Sequence, residues 1–426
     1  MSHGVRQKND APQGAAKAAP VSFAALRIPG YRAHFATYIL AMMGDNIEHV
    51  ISYWMAYQKF HSAALGGFAV LSHWLPFLLF AVPAGALADR FDPRRLIQCG
   101  MALFILASLG WAWFFITDTL QLWQAMTLLV IHGCAGVLWQ TSSQLLVHEI
   151  VPPQVLTSAV RLNATARTLG VLVGPAVGGA IMLTLGPRYG LILNACFYLP
   201  LVIWLWKAPY GPRFRKDGHV APRAVRGLRD IVQTARDIAD QPLLLSMILL
   251  AGAASFFIGN SYQAQMPNFA QDLGHGDPGV SYSMLLGADA AGALTAGFLL
   301  ERWGLLKPDP RTAVLLAMGW CTALGCFAVS HAYVLSLVLL FTAGLFELSF
   351  SSMTQALVQL NAPASIRGRV IGLFNMSSMG MRAFSGITVG LLGTIAGVHW
   401  SLAVSAVAML LVLSLLRRRV ATARLS

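Results

Sequence analysis

Apolar stretches of roughly 20 residues recur along almost the whole chain, each long enough to cross a bilayer as a helix. That recurrence constrains the fold more than any single residue does. Of 426 residues, 56% are hydrophobic and only 11% charged, against about a quarter charged in an ordinary soluble protein. We read twelve spans, near 33–58, 64–88, 96–117, 121–148, 157–185, 190–206, 243–270, 279–301, 312–329, 332–360, 370–395 and 397–416. The sequence predicts an all-α membrane protein of twelve transmembrane helices.

The chain also repeats itself. GALADRFDPRRL, from Gly85 to Leu96, joins two apolar spans, and a worn copy, GFLLERWG, begins 212 residues further on at Gly297. The same offset relates Asn163 to Asn375, Gly174 to Gly386 and Gly178 to Gly390. Glycines and charges in step point to duplication of one membrane-embedded half, the parallel repeat found in secondary transporters that rock two halves about a central site. The expected organisation is a cytoplasmic tail over 1–30, a six-helix bundle over 31–206 and a cytoplasmic linker over 207–241. A second six-helix bundle over 242–416 and a basic tail over 417–426 complete it. Within the linker, Leu228, Ile231, Val232, Ala235 and Ile238 share one face of a helix predicted over 225–239. This reads as an amphipathic helix on the membrane surface, either a tether or a site for a regulatory partner.

A net charge of +13 raises nucleic-acid binding, but the placement of the charges argues against it. Arg161, Arg167 and Arg382 fall within spans, and Lys59 and Arg188 in odd-numbered connections. Every other Lys and Arg lies in a tail or an even-numbered connection. That asymmetry follows the positive-inside rule and puts both termini in the cytoplasm. No apolar signal region precedes the first span, so no cleaved leader is expected. Cys99, Cys134, Cys196, Cys321 and Cys326 all sit in apolar spans, read as small packing residues with neither a disulfide framework nor a metal-ligand spacing. No GxxxxGK[ST] sequence occurs, so ATP is not expected to drive this chain directly. Short connections leave little room for a catalytic domain. Neither an enzyme nor a cofactor or metal is expected.

Two segments carry mechanism. Gly85, Leu87, Ala88, Asp89, Arg90 and Leu96 fit G-x-L-[AG]-D-R-x-x-R-[RK]-x-L, with the basic pair supplied one residue late by Arg94 and Arg95. Gly85 removes a side chain where helices must approach closely. Asp89, at the membrane edge, is placed to meet a helix N-terminus or a basic partner. Such a cluster can lock one conformation and release in another; the bland reading is an ordinary positive-inside loop. In the fifth span, GVLVGPAVGG stacks Gly170, Gly174 and Gly178 at four-residue spacing, with Gly179 following. Pro175 removes one intrahelical hydrogen bond and bends the segment.

On these motifs the chain resembles the major facilitator superfamily, and within it the proton-linked exporters. The Gly85–Leu96 segment is similar to the superfamily's motif A. GVLVGPAVGG is similar to motif C, the antiporter signature that marks exporters. LRIPGYRAHF from Leu26, the Gly44–Asp45 pair and RLNA from Arg161 resemble the branch of macrolide-efflux proteins and enterobactin exporters. The resemblance implies two pseudo-symmetric six-helix bundles around a cavity lined by helices 1, 4, 7 and 10. The chain departs from the pattern in three places. Glu301 replaces the gate Asp in the second half, with basic residues thinned to Lys307 and Arg311. Ile387 stands where Pro175 would repeat. The fourth span lacks an embedded Arg, leaving His132 as its nearest titratable group.

Ionisable side chains inside spans cost roughly 2.5–3.5 kcal/mol each on insertion scales and so mark function by default. Asp45, Glu48, His49 and Ser52 share one face of the first span. Two acids beside an imidazole make proton exchange near neutrality feasible; the alternative is a static pair of Asp45 or Glu48 with Arg161 or Arg167. In the second half Glu347 shares a face with Ser351 and Thr354. Arg382 needs an anionic partner, with Glu347 and Asp289 available, or else greets an anionic substrate group. His73 and His132 read more readily as packing residues than as relays. Gln140, Gln144, Asn260, Gln263 and Gln355 are cavity candidates, with Tyr53 and neighbouring aromatics suiting a bulky amphiphile. The expected protein is a monomeric proton antiporter of the bacterial inner membrane. It exports a small amphiphilic compound, drug-like or siderophore; an uptake symporter is the alternative, and a membrane-embedded enzyme using His49 or His132 is the rival of a different class. Its proton-coupling candidates are Asp45, Glu48, His49 and Glu347. Its partners are protons, a small-molecule substrate and lipid.

Overall fold

The computed structural model describes residues 22–60, 63–212, 225–273, 280–385, 393 and 396–422. After a 3-10 turn at Ala24–Arg27, four long helices follow: α1 (Pro29–Phe60), α2 (Ala63–Arg90), α3 (Pro93–Thr117) and α4 (Leu122–Ile150). Next comes α5 (Pro153–Lys207), whose 55 residues would run about 80 Å as one rod, far more than a bilayer accommodates. It is two spans in series. Helical geometry breaks at Gly186, where φ is +76° and the missing Cβ permits it. The second half contains α6 (Arg229–Asp237), α7 (Pro242–Phe257), the short α8 (Ser261–Ala264) and α9 (Met266–Asp272), then α10 (Val280–Trp303), α11 (Pro310–Ala328) and α12 (Tyr333–Asn361). It closes with α13 (Arg367–Asn375), a π-helical turn at Met376–Gly380, α14 (Arg382–Ser385) and α15 (Val398–Thr422). Eight helices among the described residues are long and apolar enough to span a membrane, α5 counting once.

Local sequence sets the helix starts. Asp92 caps α3, accepting from the Arg94 N–H, with Pro93 in the first turn; Asp309 caps α11 the same way through the Thr312 N–H, with Pro310 following. These caps satisfy N–H groups that a helix leaves unpaired at its start.

Helix pairing repeats between the halves. In the first, α1 packs on α5, α2 and α3 on α4, and α3 on α5; in the second, α10 and α11 pack on α12, and α11 on α15. The chain therefore forms two six-helix bundles, as the duplication implied. Two spans differ from the continuous helices expected. The seventh breaks after Phe257 and resumes as α8 and α9, with Gly259 at φ +50°. The eleventh is interrupted by the π turn. The two irregularities meet: Ser255 Oγ donates to the Ser378 carbonyl at 2.6 Å, satisfying a backbone group that the π turn frees.

The glycine stripe of the fifth span works by close approach. A Cβ at Gly170 would press on Met42, one at Gly174 would stand 2.5 Å from the Asn46 Cβ, and one at Gly178 would touch Ile47. Gly179 differs, with nothing within 4 Å of a Cβ there. Gly386, Ile387 and Gly390 lie outside the described residues. The linker helix is shorter than expected and is docked as well as amphipathic. Ile238 is buried in the second-half core and Ile231 packs against it, whereas Leu228 and Val232 are 55% and 54% exposed. Its Asp230 is buried, facing the second half. The five cysteines are unpaired thiols; Cys321 alone is fully buried, while Cys99, Cys196 and Cys326 lie on the exterior.

Gly174→Val should overpack the α1–α5 contact and cost about 1–3 kcal/mol, read as a lower unfolding midpoint in detergent. Gly179→Ala should stay within about 0.5 kcal/mol of the parent. Equal midpoints for the two variants would contradict this packing.

Candidate functional site

The face of α1 that carries Asp45, Glu48 and His49 turns inward, and α4 answers it with His132. The imidazole lies between the two acids, Nε2 2.9 Å from Asp45 Oδ1 and Nδ1 2.8 Å from Glu48 Oε1. Glu48 is 1% exposed and His132 4%. The other Glu48 oxygen accepts from Ser108 Oγ of α3 in a short hydrogen bond and lies 3.5 Å from Asn194 Nδ2 of α5. Asn194 also donates to Ser108 at 3.0 Å. From α2, His73 Nδ1 approaches His49 Nε2 at 3.2 Å, and His49 Nδ1 stands 3.9 Å from Asp45 Oδ1. Tyr53 lies edge-on to His49, Trp74 to His73 and Phe104 to His132. Five helices thus contribute to one buried acid–imidazole network. Only an imidazolium can donate from both ring nitrogens, and a proton in this network has several acceptors within hydrogen-bond reach.

His73 and His132 are hydrogen-bonded, as the packing reading also allows, and both are members of the network. The alternative pairing of Asp45 or Glu48 with an arginine of the fifth span is not the one observed. Arg161 donates through Nη1 to the Leu300 carbonyl at 3.1 Å and through Nη2 to the Leu306 carbonyl, with Glu301 4.0 Å away. Arg167 lines a small cavity between the bundles with Tyr38, Gln140, Gln144, Asn163 and Gln355. Three of the expected cavity residues thus meet there. Ser52 turns back on the Glu48 carbonyl at 2.6 Å.

The second half holds its own acids differently. Tyr262 OH donates to Asp289 Oδ2 at 2.9 Å and lies 3.3 Å from Glu347 Oε2, and Gln263 Nε2 donates to Asp289 at 2.9 Å. Asn260 donates to Gln263 at 3.2 Å. Arg382 makes no ion pair with Asp289 or Glu347 among the described residues. Its Nε donates to the Ser378 carbonyl at 3.2 Å, and its guanidinium lies 5.0 Å over the ring of Trp74 in the first half. Tyr262, like Ser108, Asn194, Arg369 and Asp230 elsewhere, is a site member that the sequence did not single out. Its neighbours Asn260 and Gln263 were the available signal.

The halves meet near the end where the linker leaves the first bundle. Asp89 accepts from the Gly368 and Arg369 N–H groups at 2.6 and 3.1 Å, at the start of α13, and pairs with Arg369 Nη1 at 3.3 Å. Arg369 Nε reaches Asp230 of α6 at 3.3 Å. A Cβ at Gly85 would collide with the Gly368 carbonyl. Of the two partners expected for Asp89, a helix N-terminus and a cation, it has both. The cation is Arg369, not a member of its own motif. Arg94 binds Asp92 at 2.7 Å and the Ala208 carbonyl at 2.6 Å, Arg95 binds Gln98, and Arg90 lies over Phe91. On the other side of the molecule's pseudo-axis, Glu301 accepts from Ser158 Oγ at 2.6 Å, and a Cβ at Gly297 would strike Thr165. Gln144 joins the halves through Asn375 at 3.0 Å and Gln359 at 3.2 Å.

The sequence profile of the Major Facilitator Superfamily matches residues 35–386 and 282–425; the chain belongs to that superfamily and is a transport protein, not an enzyme. Among curated relatives, the enterobactin exporter EntS of Shigella boydii is 23% identical over 373 residues, covering 86% of this chain and 85% of that protein. Macrolide efflux protein A of Streptococcus pyogenes is 23% identical and covers 74% and 77%. An uncharacterized MFS-type transporter of Bacillus subtilis, YfiS, is 23% identical over 230 residues, and the match spans about half (52%) of each chain. The solved fucose:proton symporter FucP of E. coli superposes with a TM-score of 0.69 at 13% identity, over 92% of this chain and 98% of that one.

Asp89→Ala removes charge-assisted bonds of about 1.5–3 kcal/mol, enough to shift a two-state equilibrium roughly tenfold or more. Cysteines placed in the interior near Asn375 should become more reactive from the linker side in this variant. Unchanged reactivity would contradict the contact's role as a lock.

Proposed function

We propose that this protein is a secondary exporter that moves a small amphiphilic organic compound, drug-like or siderophore, by alternating access in exchange for protons. It sits in the bacterial inner membrane with both termini in the cytoplasm, and it works as a monomer. The observation that carries the proposal is the acid–imidazole network of Asp45, His132 and Glu48, buried at mid-helix in the first bundle. Such groups are costly in a membrane span unless they bind or move something. The hydrogen-bonded neighbours of Asp45 and Glu48 are imidazoles and a hydroxyl, which can pass or hold a proton, and an amide, which only donates a hydrogen bond.

Asp45 and Glu48 take up the proton, with His132 as the bridge between them and His49 as the branch toward the interior space. Glu347, held near Tyr262 and Asp289, is the second acid of the cycle. Gln140, Gln144 and Gln355, which meet between the bundles around a cavity of only about 10 Å³, contact substrate when the bundles part, with Tyr53, Asn260, Gln263 and Arg382 offering further polar and aromatic contacts along the interior. Asp89, with Gly85 permitting the approach, holds the cytoplasmic end shut in the outward-facing state, while Arg90, Arg94 and Arg95 anchor the loop that presents it. The glycines at 170, 174 and 178, with Pro175, let α1 and α5 move as one tightly packed pair. The names of the enterobactin and macrolide relatives support export of an organic solute, and the positive-inside distribution supports the orientation.

Asp45→Asn keeps the shape and hydrogen-bonding reach of the side chain but not its proton. Proteoliposomes with an imposed proton gradient should lose substrate movement in this variant while insertion and folding persist. Full gradient-driven transport by Asp45→Asn would refute the assignment. Transport in oriented vesicles separates export from the uptake symport that the same fold supports.

A further inference from the structure

Hydrogen bonding explains only part of how the imidazoles of the first half are arranged. One ring nitrogen each from His49, His73 and His132, on α1, α2 and α4, lies within 4.8 Å of the others. His49 Nε2 and His73 Nδ1 are 3.2 Å apart, and Asp45 Oδ1 is 2.9 Å from His132 Nε2. Four donors bound tetrahedrally at about 2.0–2.1 Å stand about 3.3–3.4 Å from one another. The His49–His73 and Asp45–His132 donor pairs stand near that spacing, and the three imidazole donors lie within 4.8 Å of one another. Behind them, Glu48 Oε1 holds His132 Nδ1 at 2.8 Å, the carboxylate–imidazole arrangement that fixes the ring of a metal-binding histidine. Ser108 and Asn194 fix Glu48 in turn. His49 keeps 20% of its side chain exposed, so the cluster is not fully sealed. Asp45 and Glu48 face it with negative charge, and Arg382, over the Trp74 ring, is the cation presented by the second half.

We propose that His49, His73, His132 and Asp45 form a binding site for one divalent first-row transition-metal ion, with Glu48 positioning His132. Three imidazoles and one carboxylate suit Zn2+, Co2+ or Ni2+, whereas Mg2+ and Ca2+ require oxygen ligands. Binding demands neutral imidazoles, so the ion and the network's protons compete for the same nitrogens. The site overlaps the proton-handling network, yet metal binding is an equilibrium property measured without a gradient and stands or falls apart from transport.

The test is a Co2+ titration of the full chain, purified in detergent without an oligohistidine tag. One equivalent should bind with the intense visible absorption of a tetrahedral site, be displaced by Zn2+ and resist excess Mg2+. His49→Ala and His73→Ala should each weaken binding tenfold or more. Glu48→Gln should weaken it about 10–100-fold while keeping the tetrahedral spectrum. His399→Ala, whose ring binds the Ala328 carbonyl in the second half, should bind as the parent does. If a variant fails to fold, X-ray absorption of the Zn2+-loaded parent decides, and three imidazoles with one oxygen are expected. No stoichiometric binding by the parent, binding undiminished in both histidine variants, or a shell without imidazole would each overturn the proposal.

Discussion

A carboxylate placed in the middle of a membrane span must find partners, and that requirement organises the first bundle. Asp45 and Glu48 sit one turn apart on α1, and a single imidazole from α4 serves both. Ser108 and Asn194 then complete Glu48 from α3 and α5. Each contact demands that helices come closer than large side chains would allow. A Cβ at Gly133 would collide with the Ser72 carbonyl beside this network, just as the glycines of the fifth span make room for α1. Small residues and buried charges are two sides of one design: without the first, the second would be left unpaired in lipid at several kcal/mol.

The duplication shows how one contact between the bundles became two with different chemistry. Gly85 and Gly297, matched in the repeat, each lie where a side chain would strike the opposite bundle, at Gly368 and Thr165 respectively. The acids that follow them, Asp89 and Glu301, each reach across to the start of the opposing helix. Asp89 takes backbone N–H groups and Arg369; Glu301 takes the Ser158 hydroxyl with Arg161 nearby. Asp230 extends the first of these contacts into the linker helix, so the connection between the halves bears directly on the contact between them.

Much of this was legible in the sequence. Apolar periodicity and the 212-residue offset gave the bundles and their duplication, and the glycine spacing marked a close helix approach in the fifth span without naming α1 as the partner. The acids on α1 announced themselves because charge in a span is expensive. Their partners were harder to see. His73 and His132 stand alone on their own helices, and nothing along the chain says that both face His49. Arg161 and Arg382 looked like natural counter-ions by charge, yet backbone carbonyls at the end of α10 and just beyond it, and the Trp74 ring, claim them. The breaks after Phe257 and at Met376 were hidden for a related reason. Composition there remains apolar, and the irregular backbone is sustained by a hydroxyl–carbonyl contact between distant spans.

The central claim is that protonation of the first-half network governs which end of the molecule the bundles close. Pulsed electron-spin distance measurements between labels near the linker ends of α4 and α12, in lipid over a range of pH, test it directly. The parent should redistribute between short and long distances as pH changes, and a chain with Asp45→Asn and Glu48→Gln together should hold one distribution throughout. The same pH response in both proteins would contradict the account.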